Sequence, residues 1–167
     1  MRLQDVEAIL RGLNDANVRY LIVGGLAVVA HGYVRTTVDV DIVLHLEREN
    51  ILRAMAALKK LDYQPLVPVD PADFADEQKR KLWRDEKHMV VFQMRHSRPE
   101  STRLDILVKE PFPFTQEYER AFWEDVAGVR APILCYDELI RLKHSSGRPQ
   151  DLADIAELEL IKENRKR

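Results

Sequence analysis

The residues best suited to chemistry are Asp39 and Asp41, one position apart in Val38-Asp39-Val40-Asp41-Ile42-Val43-Leu44. The apolar neighbours predict a strand, and residues two apart on a strand share a face with Cα atoms roughly 6.6 Å apart. Two carboxylates on one face of such a strand need a reason to be there. One shared divalent ion, or two ions about 3.5–4 Å apart, is what the pair can hold. Magnesium suits it, because that ion takes one or two carboxylates and completes its shell with water and substrate phosphates. Asp105 is a third carboxylate inside an apolar run, Leu104-Asp105-Ile106-Leu107-Val108. If its strand lies beside the first, Asp105 reaches the same ion and can act as base toward an attacking hydroxyl.

Each carboxylate has a plainer alternative. Most Asp-x-Asp pairs are solvated turns, but this one runs into Ile42-Val43-Leu44. A calcium loop needs further ligands and a glycine shortly after, and neither follows. Sugar-nucleotide transferases also use Asp-x-Asp, usually in a larger domain. Asp105 can instead pair with Arg103 or Arg35.

Gly24-Gly25 stands between an apolar strand and a helix start, fourteen residues before Asp39 when counted from Gly25. Glycines there let the backbone approach a phosphate, and the helix N-terminus adds free N–H groups and partial positive charge. The steric alternative is a tight turn; the nearby carboxylate pair favours phosphate. Arg35 and Thr36 precede the carboxylates and either touch phosphate or order the loop, with an Arg35–Asp39 ion pair as a further alternative. Lys143 is a compact charge suited to a triphosphate, or else part of a solvated helix face. Asp151 sits in the first turn of a helix, where a carboxylate is stabilising in any case. His31 and His144 have no matching ligand set and read as structural. Trp83, Trp123, Phe112 and Phe114 read as core or seam residues.

The elements that must position these groups follow from periodicity. Val6, Ile9, Leu10 and Leu13 form a helical stripe. Tyr20–Val23 is a buried strand, Leu26–Ala30 a short helix closed by His31-Gly32, and 38–46 the second strand. A helix carries Ile51, Met55 and Leu58. Residues 63–71 read as a loop, and 72–85 as a charged, solvated helix or excursion. Strands 89–94 and 104–108 pair antiparallel across the turn 98–101. Residues 115–123 are a helix candidate, 126–130 a small hairpin about Gly128. Asp137 reads as the cap of a helix through Lys143, stopped by Ser146-Gly147; Pro149 opens the last helix. The basic tail 162–167 is expected to fray.

This order gives an α/β (α+β) fold: a small mixed sheet, helices packed behind it, and a C-terminal helical part. We expect one domain over 1–167, with a catalytic core at about 18–110 and the helical part at about 114–163. The chain has 167 residues, 46% hydrophobic and 32% charged, with a formal net charge of −2. No global basic field announces nucleic acid. The basic residues from Lys79 to Arg103 read either as a face for RNA phosphates or as a solvated face, and the interleaved Glu77, Asp85 and Glu86 favour the solvated face. One cysteine excludes an intrachain disulfide and, with five scattered histidines, a zinc finger. A reduced, cytoplasmic setting without membrane contact is the expectation.

Gly24-Gly25, a short helix, His31-Gly32, then Arg35-x-Thr37-x-Asp39-x-Asp41 resembles the signature of the nucleotidyltransferase superfamily, whose members resemble the core of DNA polymerase beta. The stretch GGLAVVAHGYVRTTVDVDI is most similar to small bacterial members, the AbiEii-like toxin nucleotidyltransferases and aminoglycoside-nucleotidyltransferase-like proteins. The segment from Leu142-Lys143 through Gly147-Arg148-Pro149-Gln150-Asp151 to Ile155 resembles the C-terminal helix pair of that group.

The resemblance implies a nucleotidyltransferase fold and transfer of a nucleoside monophosphate from an NTP to a hydroxyl, with pyrophosphate leaving and Mg2+ or Mn2+ as cofactor. Gly24 and Gly25 would hold the triphosphate, and Asp39 and Asp41 the metals. Asp105 matches the third carboxylate, and Lys143 and Asp151 match a lysine and a later aspartate. The family's commoner Gly-Ser is Gly-Gly here, which removes a hydroxyl often placed on the phosphates. An RNA 3′ end, a protein side chain and a small molecule all stand as acceptors. AbiEii-like proteins favour RNA and a toxin–antitoxin pair. The rival readings are an antitoxin or regulatory partner keeping the fold, and an antibiotic nucleotidyltransferase.

Overall fold

The computed structural model describes residues 1–165. Its centre is a seven-stranded mixed sheet. In chain order the elements are α1 (Leu3–Asp15), β1 (Tyr20–Val23), α2 (Gly24–Ala30), β2 (Asp39–Leu44), α3 (Arg48–Lys60), β3 (Tyr63–Pro65), a 3-10 turn (Pro71–Ala75), α4 (Glu77–Lys87), β4 (Val91–His96), β5 (Arg103–Leu107), α5 (Phe114–Glu119), β6 (Phe122–Val126), β7 (Val129–Ile133), α6 (Tyr136–Ser146) and α7 (Pro149–Asn164). The strand order is β3-β4-β5-β2-β1-β7-β6. β2 runs parallel to β5 and antiparallel to β1, while β4 and β5 are antiparallel neighbours.

The stripe Val6, Ile9, Leu10 and Leu13 of α1 is fully buried, as are Ile51, Ala54 and Leu58 of α3. They share one core with Val40, Ile42 and Leu44 of β2, Leu104 and Ile106 of β5, and Phe92 and Met94 of β4. Period-two alternation therefore spends one face of β2, β5 and β4 on the core. The other face of the same strands carries Asp39, Asp41, Asp105, Arg103, Gln93 and Arg95, all half-buried or exposed. This division keeps the carboxylates off the core.

Several sequence expectations change. Residues 63–65 form the edge strand β3, paired with β4 at Tyr63↔His96, because Tyr63 is buried and donates to the Thr102 carbonyl at 2.7 Å. The segment 72–85 is not simply solvated: Phe74 and Trp83 stack on Phe92, and buried Arg80 donates to the Phe74 carbonyl. The helix candidate at 115–123 ends at Glu119, and Trp123 lies in β6, pairing Pro132 across the hairpin. That hairpin is longer than 126–130, with Ala127 and Gly128 at its turn, both at positive φ. Asp137 does not cap α6, whose N-cap position is Cys135. Gly147 closes α6 at φ +63° and Pro149 opens α7, as the sequence indicates. Of the tail, residues 162–164 are helical, and Lys162 pairs with Asp137 at 3.2 Å; residues 166–167 lie outside the described residues.

Candidate active site

The passage from β1 into α2 is made by two glycines with different work. Gly24 has φ +61°, and a Cβ there would run into the Asp41 carboxylate. Gly25 packs under the following loop, where a Cβ would lie 2.6 Å from Thr37 Oγ1 and 2.9 Å from Arg35 Nη2. The Gly25 N–H donates to the Asp41 carboxylate. The helix start, the carboxylate and the loop 31–38 are thus in direct contact.

The sheet then supplies the second half. In β2, Asp41 stands opposite Val23 of β1 on one side and Asp105 of β5 on the other. Asp39 stands opposite Arg103, which donates to both of its oxygens, at 2.9 Å from Nε and 3.3 Å from Nη2. Gln93 of β4 donates to Asp105 at 2.9 Å. Burial pushes the Asp41 carboxyl up to about 6, and the charges of Asp105 and Asp39 push the same way; the Gly25 N–H and Arg148 only partly oppose them. Asp105 is also raised, first by burial, with the Gln93 hydrogen bond opposing. Among the described residues no group of three or more His, Cys, Asp or Glu side chains closes around a metal position, since Asp39 is turned to Arg103. The donor set still fits a divalent ion of the magnesium kind. Asp41 and Asp105 are adjacent, under-neutralised carboxylates, and such an ion needs only one or two of them from the protein.

A second cluster joins the C-terminal helices to the loop. Lys143 of α6 is 4% exposed. Its ammonium donates to Asp151 at 3.1 Å and Asp154 at 2.7 Å. Arg35 donates to Asp154 at 3.0 Å, Gln150 to Asp154 at 3.1 Å, and Arg148 to Asp151 at 2.8 Å. Burial alone would raise the Asp151 carboxyl, but hydrogen bonds from Arg148, Ser146 and Lys143 outweigh it and hold the group down at about 2. Lys143 is therefore not on a solvated face, and Arg35 pairs with Asp154 rather than Asp39.

Asp154 is the site residue that sequence reasoning missed. Its signal was available: it lies three residues after Asp151, on the same helical face. Arg103 was considered as a partner for Asp105 and is instead the partner of Asp39. Thr36 is exposed, with its carbonyl accepting from Arg35 at 2.9 Å; Thr37 is the threonine beside Gly25. His31 accepts its structural reading through a 2.8 Å contact to the Leu134 carbonyl.

Residues 1–164 match the family described as nucleotidyltransferase of unknown function, DUF6036. The chain belongs to this nucleotidyltransferase family. It is an enzyme of the transferase class, and the superfamily resemblance read from Gly24-Gly25 and Asp39-x-Asp41 is borne out. No curated protein matches it at the level of sequence. Solved structures share the nucleotidyltransferase fold. The lincomycin-bound lincosamide antibiotic adenylyltransferase LnuA is 18% identical, with a TM-score of 0.61 over 93% of this chain and 95% of that one. ANT(2″)-Ia in complex with adenylyl-2″-tobramycin is 14% identical, with a TM-score of 0.61 over 93% and 86%. An antigenic nucleotidyltransferase-like protein from Paracoccidioides brasiliensis is 20% identical, with a TM-score of 0.55 over 92% and 72%. Among the described residues of this nucleotidyltransferase no helix is long and apolar enough to cross a membrane.

Proposed function

We propose that this nucleotidyltransferase moves a nucleoside monophosphate from an NTP to a hydroxyl acceptor, with Mg2+ or Mn2+ held by Asp41 and Asp105 and joined by Asp39. The observation that carries the reading is the register. Asp41 and Asp105 face each other on parallel strands, and Asp41 touches the glycine turn that opens α2. A divalent ion bound there supplies positive charge against the charge that gathers on the phosphoryl oxygens.

The chain's own groups divide the remaining work. Gly24 and Gly25 let the triphosphate approach the backbone without side-chain obstruction. Arg35, anchored by Asp154, and Arg148, anchored by Asp151, bring positive charge to the flank of that turn. Lys143 fixes both anchoring carboxylates, so its part is to position Arg35 and Arg148. Thr36 holds Arg35 through its carbonyl. Asp105, kept basic by burial and oriented by Gln93, takes the proton from the acceptor hydroxyl. The acceptor oxygen bonds to the α-phosphorus as the bond to the bridging oxygen breaks, and pyrophosphate leaves with that electron pair.

The test is label transfer from each α-labelled NTP to a mixed acceptor pool. We expect label that needs the divalent ion and disappears in Asp41→Asn and Asp105→Asn. Undiminished transfer in either variant, or in excess chelator, would overturn the assignment.

A further inference from the structure

The strand order lays the proposed site out as a line across one face of the sheet. The glycine turn is on β1, Asp39 and Asp41 are on β2, Asp105 and Arg103 on β5, and Gln93 and Arg95 on β4. A triphosphate held at the β1 end leaves only the β5–β4 end for the group that attacks it. Two arginines stand side by side there. The β4–β5 register, with Met94 opposite Leu104, brings Arg95 directly beside Arg103 on the exposed face, and Gln64 of β3 continues the row beside Arg95. Like charges directly opposite each other across two strands are unfavourable. Arg103 is answered by Asp39; Arg95 is exposed and has no carboxylate partner among the described residues.

A second observation lies beside the row. A cleft of about 290 Å3 opens beside Asp39, and its lining includes Val38, Asp39, Glu100, Ser101, Thr102 and Arg103. Glu100 in the lining pairs with Arg2 at 3.6 Å.

Building on the transfer reading, we propose that Arg95 and Arg103 select an acceptor with a phosphate beside its hydroxyl, a nucleotide. The two guanidiniums take the phosphate, since their planar donors match its oxygens. The cleft, which Arg103 lines, takes the sugar that carries the attacking hydroxyl. A polycationic acceptor such as an aminoglycoside is repelled at the same place. The shared chemistry is a phosphorylated ribose, supplied by an RNA 3′ end or by a free mononucleotide.

Binding and transfer are measured separately. With magnesium and a non-transferable NTP analogue filling the glycine turn, fluorescence anisotropy follows a short labelled RNA with a free 3′ hydroxyl, competed by AMP, adenosine and tobramycin. We expect RNA or AMP to bind, Arg95→Glu to weaken that binding about tenfold, and Arg95→Lys to recover most of it. Lys81→Glu, the same charge change on an exposed part of α4, is expected to have no effect. Competition by AMP as strong as by RNA names the small nucleotide as source; RNA alone names the polynucleotide. Failure of wild type to bind either probe, or equal binding by wild type and Arg95→Glu, overturns the proposal. Label entering tobramycin or adenosine in preference to RNA and AMP also overturns it and leaves nucleotidyl transfer standing. Arg95-dependent binding with no label transferred from any NTP removes the transfer reading and leaves the anion-binding row in place.

Discussion

Two groups of aspartates in this nucleotidyltransferase meet opposite surroundings. Asp151 and Asp154 are buried and answered by Lys143, Arg35 and Arg148, three cations to two anions. Among the described residues, Asp39, Asp41 and Asp105 face one cation at hydrogen-bond distance, Arg103, and it contacts only Asp39. The titration behaviour separates accordingly: Asp151 is held down at about 2, and Asp41 is pushed up to about 6. Burial acts upward on both, so the difference comes from partners. A carboxylate with its hydrogen-bond donors in place stabilises the fold, while carboxylates that repel one another store a demand for a cation. The first cluster is a clamp between α6, α7 and the loop before β2. The second is the proposed cation seat.

Substitutions at the two clusters should therefore move activity and stability in different directions. The largest effect is on transfer. Asp41→Asn should lower it at least about a hundredfold while leaving the fold intact, as measured by label transfer beside a melting curve; transfer within a fewfold of wild type would erase the functional contrast. Asp154→Ala should cost about 3–5 kcal/mol of stability, because Lys143 and Arg35 lose a partner where water cannot replace it. Urea unfolding checks this, and a loss below about 1 kcal/mol would make the clamp no stronger than a surface ion pair.

Gly24→Ala sharpens the link between turn and seat. The added Cβ meets the Asp41 carboxylate, and its φ of +61° disfavours any side chain. We expect about 1–2 kcal/mol of destabilisation together with loss of transfer. Retained activity would mean that the turn and Asp41 move independently.

The smallest effect concerns pH. An acid whose folded pKa lies above its unfolded value keeps its proton longer when folded. The Asp41 contribution therefore costs nothing below about pH 4, grows as the pH rises, and is complete above about 6. Without divalent ion, Asp41→Asn should accordingly be more stable than wild type at pH 7, and equal to it near pH 3.5. Asp151 behaves oppositely: its contribution is present above about pH 4 and is lost as the pH falls toward 2. A melting-temperature series over pH, compared between Asp41→Asn and wild type, reads the sign directly. A variant less stable at pH 7 would contradict it.

Much of this was legible in the chain. Asp-x-Asp inside an apolar run names both the strand and its exposed face, and the Gly24-Gly25 turn names the neighbouring helix start. Those signals are local. What was not legible was register and partner choice. The pairing of Asp41 with Asp105 depends on how β2 and β5 align over sixty-four residues of sequence, and Arg35, with Asp39 and Asp105 as its nearer candidates in the sequence, pairs with Asp154 instead. Lys143 on a moderately polar helix looks the same whether solvated or buried, until α7 is packed against it. Edge strand β3 and the full length of the β6–β7 hairpin were lost for the related reason that three to five residues leave little periodic signal, and Trp123 fits a helix or a strand equally well.

The most direct test of the central contrast is divalent-ion binding by the protein, followed by titrating Mn2+ against wild type, Asp41→Asn and Asp151→Asn with electron paramagnetic resonance. The account predicts binding in wild type that disappears in Asp41→Asn and persists in whatever folded fraction of Asp151→Asn remains. Equal binding by wild type and Asp41→Asn, or binding lost only when the Lys143 clamp is opened, would contradict it.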